Sequence, residues 1–141
     1  MLTRALARSV YVLFGAVYLL AGVAVLLLGT GLLPGPVRDI ITDVARDNPN
    51  TLHIMQEFGS ILVFVGLITL WFMWHYEQSR PFHWAMTAFW GLFALVHWFD
   101  IRGAFQPGVG QAINTIPFAV FVVVGVLRQK AEGGAPASAG R

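Results

Sequence analysis

The stretch SVYVLFGAVYLLAGVAVLLLGTGLL, residues 9–33, decides the fold. It runs for twenty-five residues without a charged side chain, is entered from Arg4 and Arg8, and ends at Pro34-Gly35-Pro36. As a helix it would rise about 37 Å, more than the ~30 Å hydrocarbon core of a bilayer. A secretory leader also opens on basic residues, but its apolar stretch is about 7–15 residues long and leads to a small-residue cleavage site. Gly29 and Gly31 are small, yet no A-x-A pattern follows Leu33. The stretch therefore reads as a retained transmembrane helix.

The rest of the chain agrees. Of 141 residues, 57% are hydrophobic and 11% charged, and the mean hydropathy is +0.68. Soluble domains carry about 25% charged residues. A soluble chain of this size also leaves roughly a third of its unfolded area in water, so lipid is the natural solvent for the surplus apolar surface. With no cysteine, disulfides, thiolate metal sites, iron–sulfur clusters and cysteine nucleophiles are excluded together. The pI is 9.5 but the net charge only +2. Nucleic-acid binding, which needs a basic stripe, is not indicated.

Outward from the first span, Val37, Ile40, Ile41 and Val44 recur at i, i+3, i+4 and i+7. Arg38, Asp39, Asp43, Arg46 and Asp47 take the opposite side. The pattern predicts a short amphipathic interfacial helix over about 36–47, opened by Pro36 and too short to span. Asn48-Pro49-Asn50 interrupts it, with Asn50 placed to cap the next helix. Further spans are predicted at about 51–75, 81–99 and 111–127, and a small-residue tail at 131–141. The turn Tyr76-Glu-Gln-Ser-Arg80 is so short that the second and third helices should be antiparallel neighbours. The fold class is all-α: one domain over 1–130, an antiparallel four-helix transmembrane bundle.

Basic residues set the orientation. Arg4, Arg8, Arg80, Arg128, Lys130 and Arg141 fall on one side. Arg38, Arg46 and Arg102 fall on the other, among Asp39, Asp43, Asp47 and Asp100. The first side is therefore expected in the cytoplasm, with both termini; in a bacterium the protein would lie in the inner membrane and its other face in the periplasm. Trp71, Trp74, Tyr76 and Trp84 would then form the inner aromatic belt and Trp98 the outer, with Trp90 at mid-span. Gly15, Gly22 and Gly29, at seven-residue spacing, and Gly59 with Gly66 read as helix-packing seams, because small residues let helices approach in lipid. Lining a cavity for a flat cofactor is the alternative use of such glycines. Pro117 should kink the fourth helix and free the carbonyl of Ile113.

Polar residues within spans point to function by default. Counted from mid-span, Glu57 and His97 each lie roughly 10 Å towards the outer face and Asn114 about 8 Å. His53 precedes Glu57 by one helical turn, and Asp100 follows His97 by three residues, with Gln56, Gln111 and Arg102 at the rim. His53, Glu57, His97 and Asp100 would offer two imidazoles and two carboxylates, an N/O set suited to a transition metal such as zinc, iron, manganese or copper(II). The two histidines could instead ligate a haem, or Glu57 and His97 could handle protons beside a quinone-like ligand. Against these stands a structural role, Glu57 pairing with His97 or Arg102 to hold helices together. His75 and His83, each beside a tryptophan, read as ordinary interfacial histidines. His83, Thr87, Trp90, Ala94 and His97 share one stripe, but about 21 Å separates its histidines with only Thr87 between, too sparse for a proton relay.

The segment Tyr76-Glu-Gln-Ser-Arg-Pro-Phe-His83 and the run Leu95-Val-His-Trp-Phe-Asp-Ile-Arg-Gly103 are the most distinctive stretches. In length, amphipathic element and polar residues near one leaflet, the layout resembles the small DoxX-like proteins and other four-helix bacterial membrane families. That resemblance implies a link to membrane redox or quinone metabolism and carries over no site residue. Two functions stay open: a metal, haem or quinone site near the outer leaflet, and an accessory subunit of a homo-oligomer or larger membrane complex. A stand-alone transporter ranks third, since four helices rarely enclose a pathway. A hydrolase has only Ser60, one turn from Glu57, to recommend it, and the residues leave open whether the chain is an enzyme.

Overall fold

A computed structural model describes residues 2–28, 32, 49–99, 103–105 and 107–133. Four α-helices lie among them: α1 Leu2–Leu26, α2 Pro49–Trp74, α3 Arg80–His97 and α4 Val109–Gly133. Three are long and apolar enough to cross a membrane, over Arg4–Leu26, Asn50–Trp74 and Val109–Ala131. The expected interfacial helix at 36–47, Gly29, Asp100, Arg102 and residues 134–141 of the expected tail lie outside the described residues.

The helix ends follow local chemistry. α1 is helical from Leu2 and gives way to a turn at Leu27 and Leu28, earlier than the apolar run itself. Gly29 and Gly31 follow, and glycine costs about 1 kcal/mol per helical position relative to alanine. α2 starts at Pro49, so proline holds the first helical position and Asn50 lies inside the helix instead of capping it. Before α3, the Ser79 amide donates to the His75 carbonyl (2.9 Å) and the His83 amide to the Ser79 carbonyl (2.7 Å). α3 closes on tighter i→i+3 bonds, Trp98 N–H to Leu95 O and Phe99 N–H to Val96 O. α4 runs through Pro117 and reaches Gly133, past the predicted span and into the first residues of the predicted tail.

The described residues fall into two compact units, one within Tyr11–Trp74 and the other within Met1–Val10 together with His75–Arg141. In the first, α1 from Tyr11 and α2 run in opposite directions, backbone against backbone. A methyl group at Gly22 would stand 2.6 Å from the amide nitrogen of Val63 and 2.7 Å from the Gly59 carbonyl; one at Gly66 would stand 2.6 Å from Leu19 N and 2.9 Å from Gly15 O. Leu70 closes on Gly15 in the same way. Tyr11 and Phe72, both buried, meet edge to face with centroids 5.6 Å apart. The glycine seams at Gly15, Gly22, Gly59 and Gly66 are therefore contact faces, as small-residue stripes in lipid-facing helices tend to be.

In the second unit α3 and α4 are antiparallel, and α3 turns the stripe His83, Met86, Thr87, Trp90 and Ala94 inward. Phe118 lies against Gly91, and His83 with Trp84 against Gly125. The Thr87 hydroxyl donates to the His83 carbonyl one turn back. At the far end, Trp98 Nε1–H donates to Thr115 Oγ1 (2.9 Å), and the Thr115 hydroxyl donates to Gln111 O. The chain between these helices doubles back so that Phe105 bridges to Phe99 and stacks on Trp98, 5.5 Å between centroids. Gly103 has φ 79°, a region L side chains seldom enter.

Candidate functional site

The polar residues expected towards one face are placed on different footings. On α2, His53 Nε2 meets Glu57 Oε1 at 3.2 Å, one helical turn apart, and their side chains are 74% and 64% exposed. Gln56, expected at the rim, turns the other way: its side-chain amide donates to the Leu28 carbonyl at 2.9 Å. It thus gives a partner to a carbonyl of the turn that follows α1. Ser60 donates to the Gln56 carbonyl along its own helix and stays exposed. None of these contacts forms a nucleophile–base arrangement.

On α3, His97 is half-buried and its ring packs on Phe93, 4.3 Å between centroids. Its Nδ1 lies 2.8 Å from the Phe93 carbonyl. A carbonyl only accepts, so Nδ1 carries the hydrogen, which leaves Nε2 as the one ring nitrogen able to offer a lone pair. Asn114 on α4 is half-buried, and its neighbour Thr115 makes the contact to Trp98. Asp100 and Arg102 lie outside the described residues. Among the described residues no group of three or more His, Cys, Asp or Glu side chains could hold a metal ion.

The densest polar arrangement lies at the opposite end of the second unit. Arg128, on α4, is 2% exposed. Its Nη1 donates to Ser79 Oγ at 3.1 Å, its Nη2 donates to the Tyr76 carbonyl, and its guanidinium lies 4.1 Å from the centre of the Tyr76 ring. Ser79 passes its own proton to the Tyr76 carbonyl (2.9 Å). Arg4 and Arg8, one turn apart on α1, bring two more guanidinium groups to 5.3 and 5.7 Å from the same ring, and Arg4 pairs with Glu77 at 2.7 Å. One turn along α3, His83 is 1% exposed, stacks on Phe121 with centroids 5.5 Å apart and lies 3.0 Å by Nε2 from the Phe121 carbonyl. His83 is thus buried within the unit, near the start of α3.

Sequence reading assigned Arg128 to topology and Tyr76 to an aromatic belt, and so missed this cluster. A signal was present: Phe121, Val124, Gly125 and Arg128 repeat at helical spacing and are all buried. The arginine is the last member of an inward stripe. Chemically the cluster gathers cations and one aromatic face, with Glu77 as its carboxylate; it can hold helices together and attract anions, and it contains no acid–base pair suited to catalysis.

Three helices long and apolar enough to cross a membrane and glycine-seamed packing are compatible with a helical membrane protein as the class. Comparison with protein-family models, curated proteins and solved structures returns no match.

Proposed function

We propose that this chain is a four-span protein of the cytoplasmic membrane, with both termini inside, that works as a subunit of a membrane assembly. The carrying observation is the exposed His53–Glu57 pair. Glu57 stands five residues from the centre of the Asn50–Trp74 span, about 7.5 Å from mid-membrane by helical rise. Ionisable side chains at such depth are costly unless they face protein or a water-filled cavity. With 64% of its side chain uncovered, Glu57 has too little protein around it within its own unit. A second copy, or another subunit, supplies the missing cover.

The fourth span in this reading is α3. Its 18 residues rise about 27 Å, close to the hydrocarbon thickness. Its polar members His83 and Thr87 are buried while Leu92, Leu95 and Val96 are exposed, which suits a helix that shows lipid only its apolar side. The charge asymmetry of the ends supports the inward termini. Reporter fusions at residues 1 and 141 should both read cytoplasmic; a split result would require an odd number of spans.

For the assembly, the measurement is mass by light scattering in mild detergent, with the detergent contribution subtracted. Wild type is expected as an oligomer or a complex of defined composition. Glu57→Leu, which makes the face compatible with lipid, should shift it to the monomer. A wild-type monomer in both detergent and bilayer discs would overturn the reading.

The His97 ring supports a second reading, a metal, haem or quinone site near the outer leaflet that uses His97. Tying Nδ1 to a carbonyl leaves Nε2 as the ligating atom, the arrangement that second-shell contacts give to metal-bound histidines. It predicts a stoichiometric metal, or a visible absorption band, lost in His97→Ala. Metal-free, colourless wild-type protein would remove the metal and haem forms, and absence of bound quinone in an organic extract the third.

A further inference from the structure

We infer that the arginine cluster at the cytoplasmic end binds the phosphate of an anionic phospholipid, whose acyl chain lies in an apolar groove beginning beside it. The inference rests on the membrane-spanning reading above. Arg4, Arg8 and Arg128 converge on the Tyr76 ring, and Glu77, paired with Arg4, is the carboxylate among these contacts. Arg128 is already held by the Ser79 hydroxyl and the Tyr76 carbonyl.

Arg8 differs from both. It is half-buried; its Nε, like that of Arg128, is covered and without a hydrogen-bond partner, but unlike the other two arginines it makes neither an ion pair nor a side-chain hydrogen bond among the described residues. The aromatic face is its one electrostatic contact there. A guanidinium has five donors in a fork that matches phosphate oxygens. An external anion is the acceptor this geometry lacks, and the cytoplasmic leaflet, where anionic lipids attract juxtamembrane arginines, presents one at the right depth.

The second observation is independent. A groove of about 250 Å³ is lined only by aliphatic side chains, among them Leu6 and Val10 of α1 and Ala119, Val120, Val123 and Leu127 of α4. Val124, which also lines it, stands one helical turn before Arg128 on the same face of α4. The groove therefore starts within a turn of Arg128 and extends along α4 towards mid-span. No polar group lines it, so it suits a hydrocarbon chain and not a soluble anion alone.

The test uses full-length protein in detergent and native mass spectrometry. It is offered phosphatidylglycerol, phosphatidylcholine of identical chains, or inorganic phosphate. One phosphatidylglycerol should be retained at least tenfold better than phosphatidylcholine. The double variant Arg4→Gln/Arg8→Gln should abolish that preference. Ala119→Phe, at an exposed position whose ring fills the groove, should weaken retention of both lipids while leaving circular dichroism unchanged. Equal retention of the two lipids, or a preference untouched by either variant, would overturn the proposal. Displacement by millimolar phosphate would replace the lipid with a soluble anion. Failure of the membrane-spanning reading shows separately, as release of the chain from membranes by alkaline carbonate.

Discussion

Gly66→Ile should separate α1 from α2 and cost more than about 3 kcal/mol, the upper range for forcing bulk into a well-packed contact. The first added carbon already meets backbone: Leu19 N at 2.6 Å, Gly15 O at 2.9 Å and Leu19 Cα at 2.9 Å. Backbone cannot rotate aside as a side chain would, so the helices must move apart along the seam. Gly22→Ile should behave alike, because its Cβ would meet Val63 N and the Gly59 carbonyl. Separation forfeits close contact, the main source of affinity between helices in lipid. It also strands the Gln56 bond to Leu28. Unfolding in mixed detergent micelles, followed by tryptophan fluorescence, gives the stability change. Gly110→Ala is the control: nothing lies within 4 Å of its Cβ, so its stability should be unchanged or higher by up to about 1 kcal/mol from helix propensity. Equal stability of Gly66→Ile and Gly110→Ala would mean the seam is not formed.

Arg128→Met is expected to lower stability by about 2–3 kcal/mol. Methionine matches the arginine stem in length, so the loss isolates the head group. That head group makes a hydrogen bond to each of Ser79 and Tyr76 and covers the Tyr76 ring. Hydrogen bonds involving a charged group contribute about 1.5–3 kcal/mol, and a desolvated cation–aromatic contact about 2. Desolvating the guanidinium offsets part of this, and buried ionic groups can be replaced at little cost when apolar packing takes over. Here the loss should persist because the arginine's partners are a backbone carbonyl and a hydroxyl, which methionine cannot serve. Ser79 still donates to the Tyr76 carbonyl, which keeps the effect from growing larger. Arg128→Lys, with a charge but no fork, should fall between. The same unfolding assay decides; a methionine variant as stable as wild type would show that desolvation cancels every contact made.

The two variants bear on features of unequal legibility. Seven-residue spacing of Gly15 and Gly22 and the pair Gly59 and Gly66 could be read directly, because a seam needs small residues at helical period and little else. Arg128 could not, since the same arginine at the end of an apolar run serves equally as a topology signal. Gln56 was legible as polar at a given depth. Whether it would face a ligand or the end of α1 depended on which way its side chain turned. His83 shows the same limit: its neighbours Phe82 and Trp84 resemble an interfacial belt, while its burial against Phe121 comes from a helix nearly forty residues away.

From the sequence by itself came the all-α class, the long apolar runs of α1, α2 and α4, and the breaks between them. Each follows from local properties: hydrophobic length, proline and glycine at helix ends, and side-chain period. Only tertiary structure decided that α3, the one helix of the four that falls short of a span by length and hydropathy together, hides His83 and Thr87 while presenting leucine and valine outward. Composition averages all sides of a helix, and burial acts on one. Tertiary structure likewise decided that Arg4 and Arg8 of α1 and Arg128 of α4 share the Tyr76 ring, because the period of each helix shows which side turns inward and not which other helix end it meets.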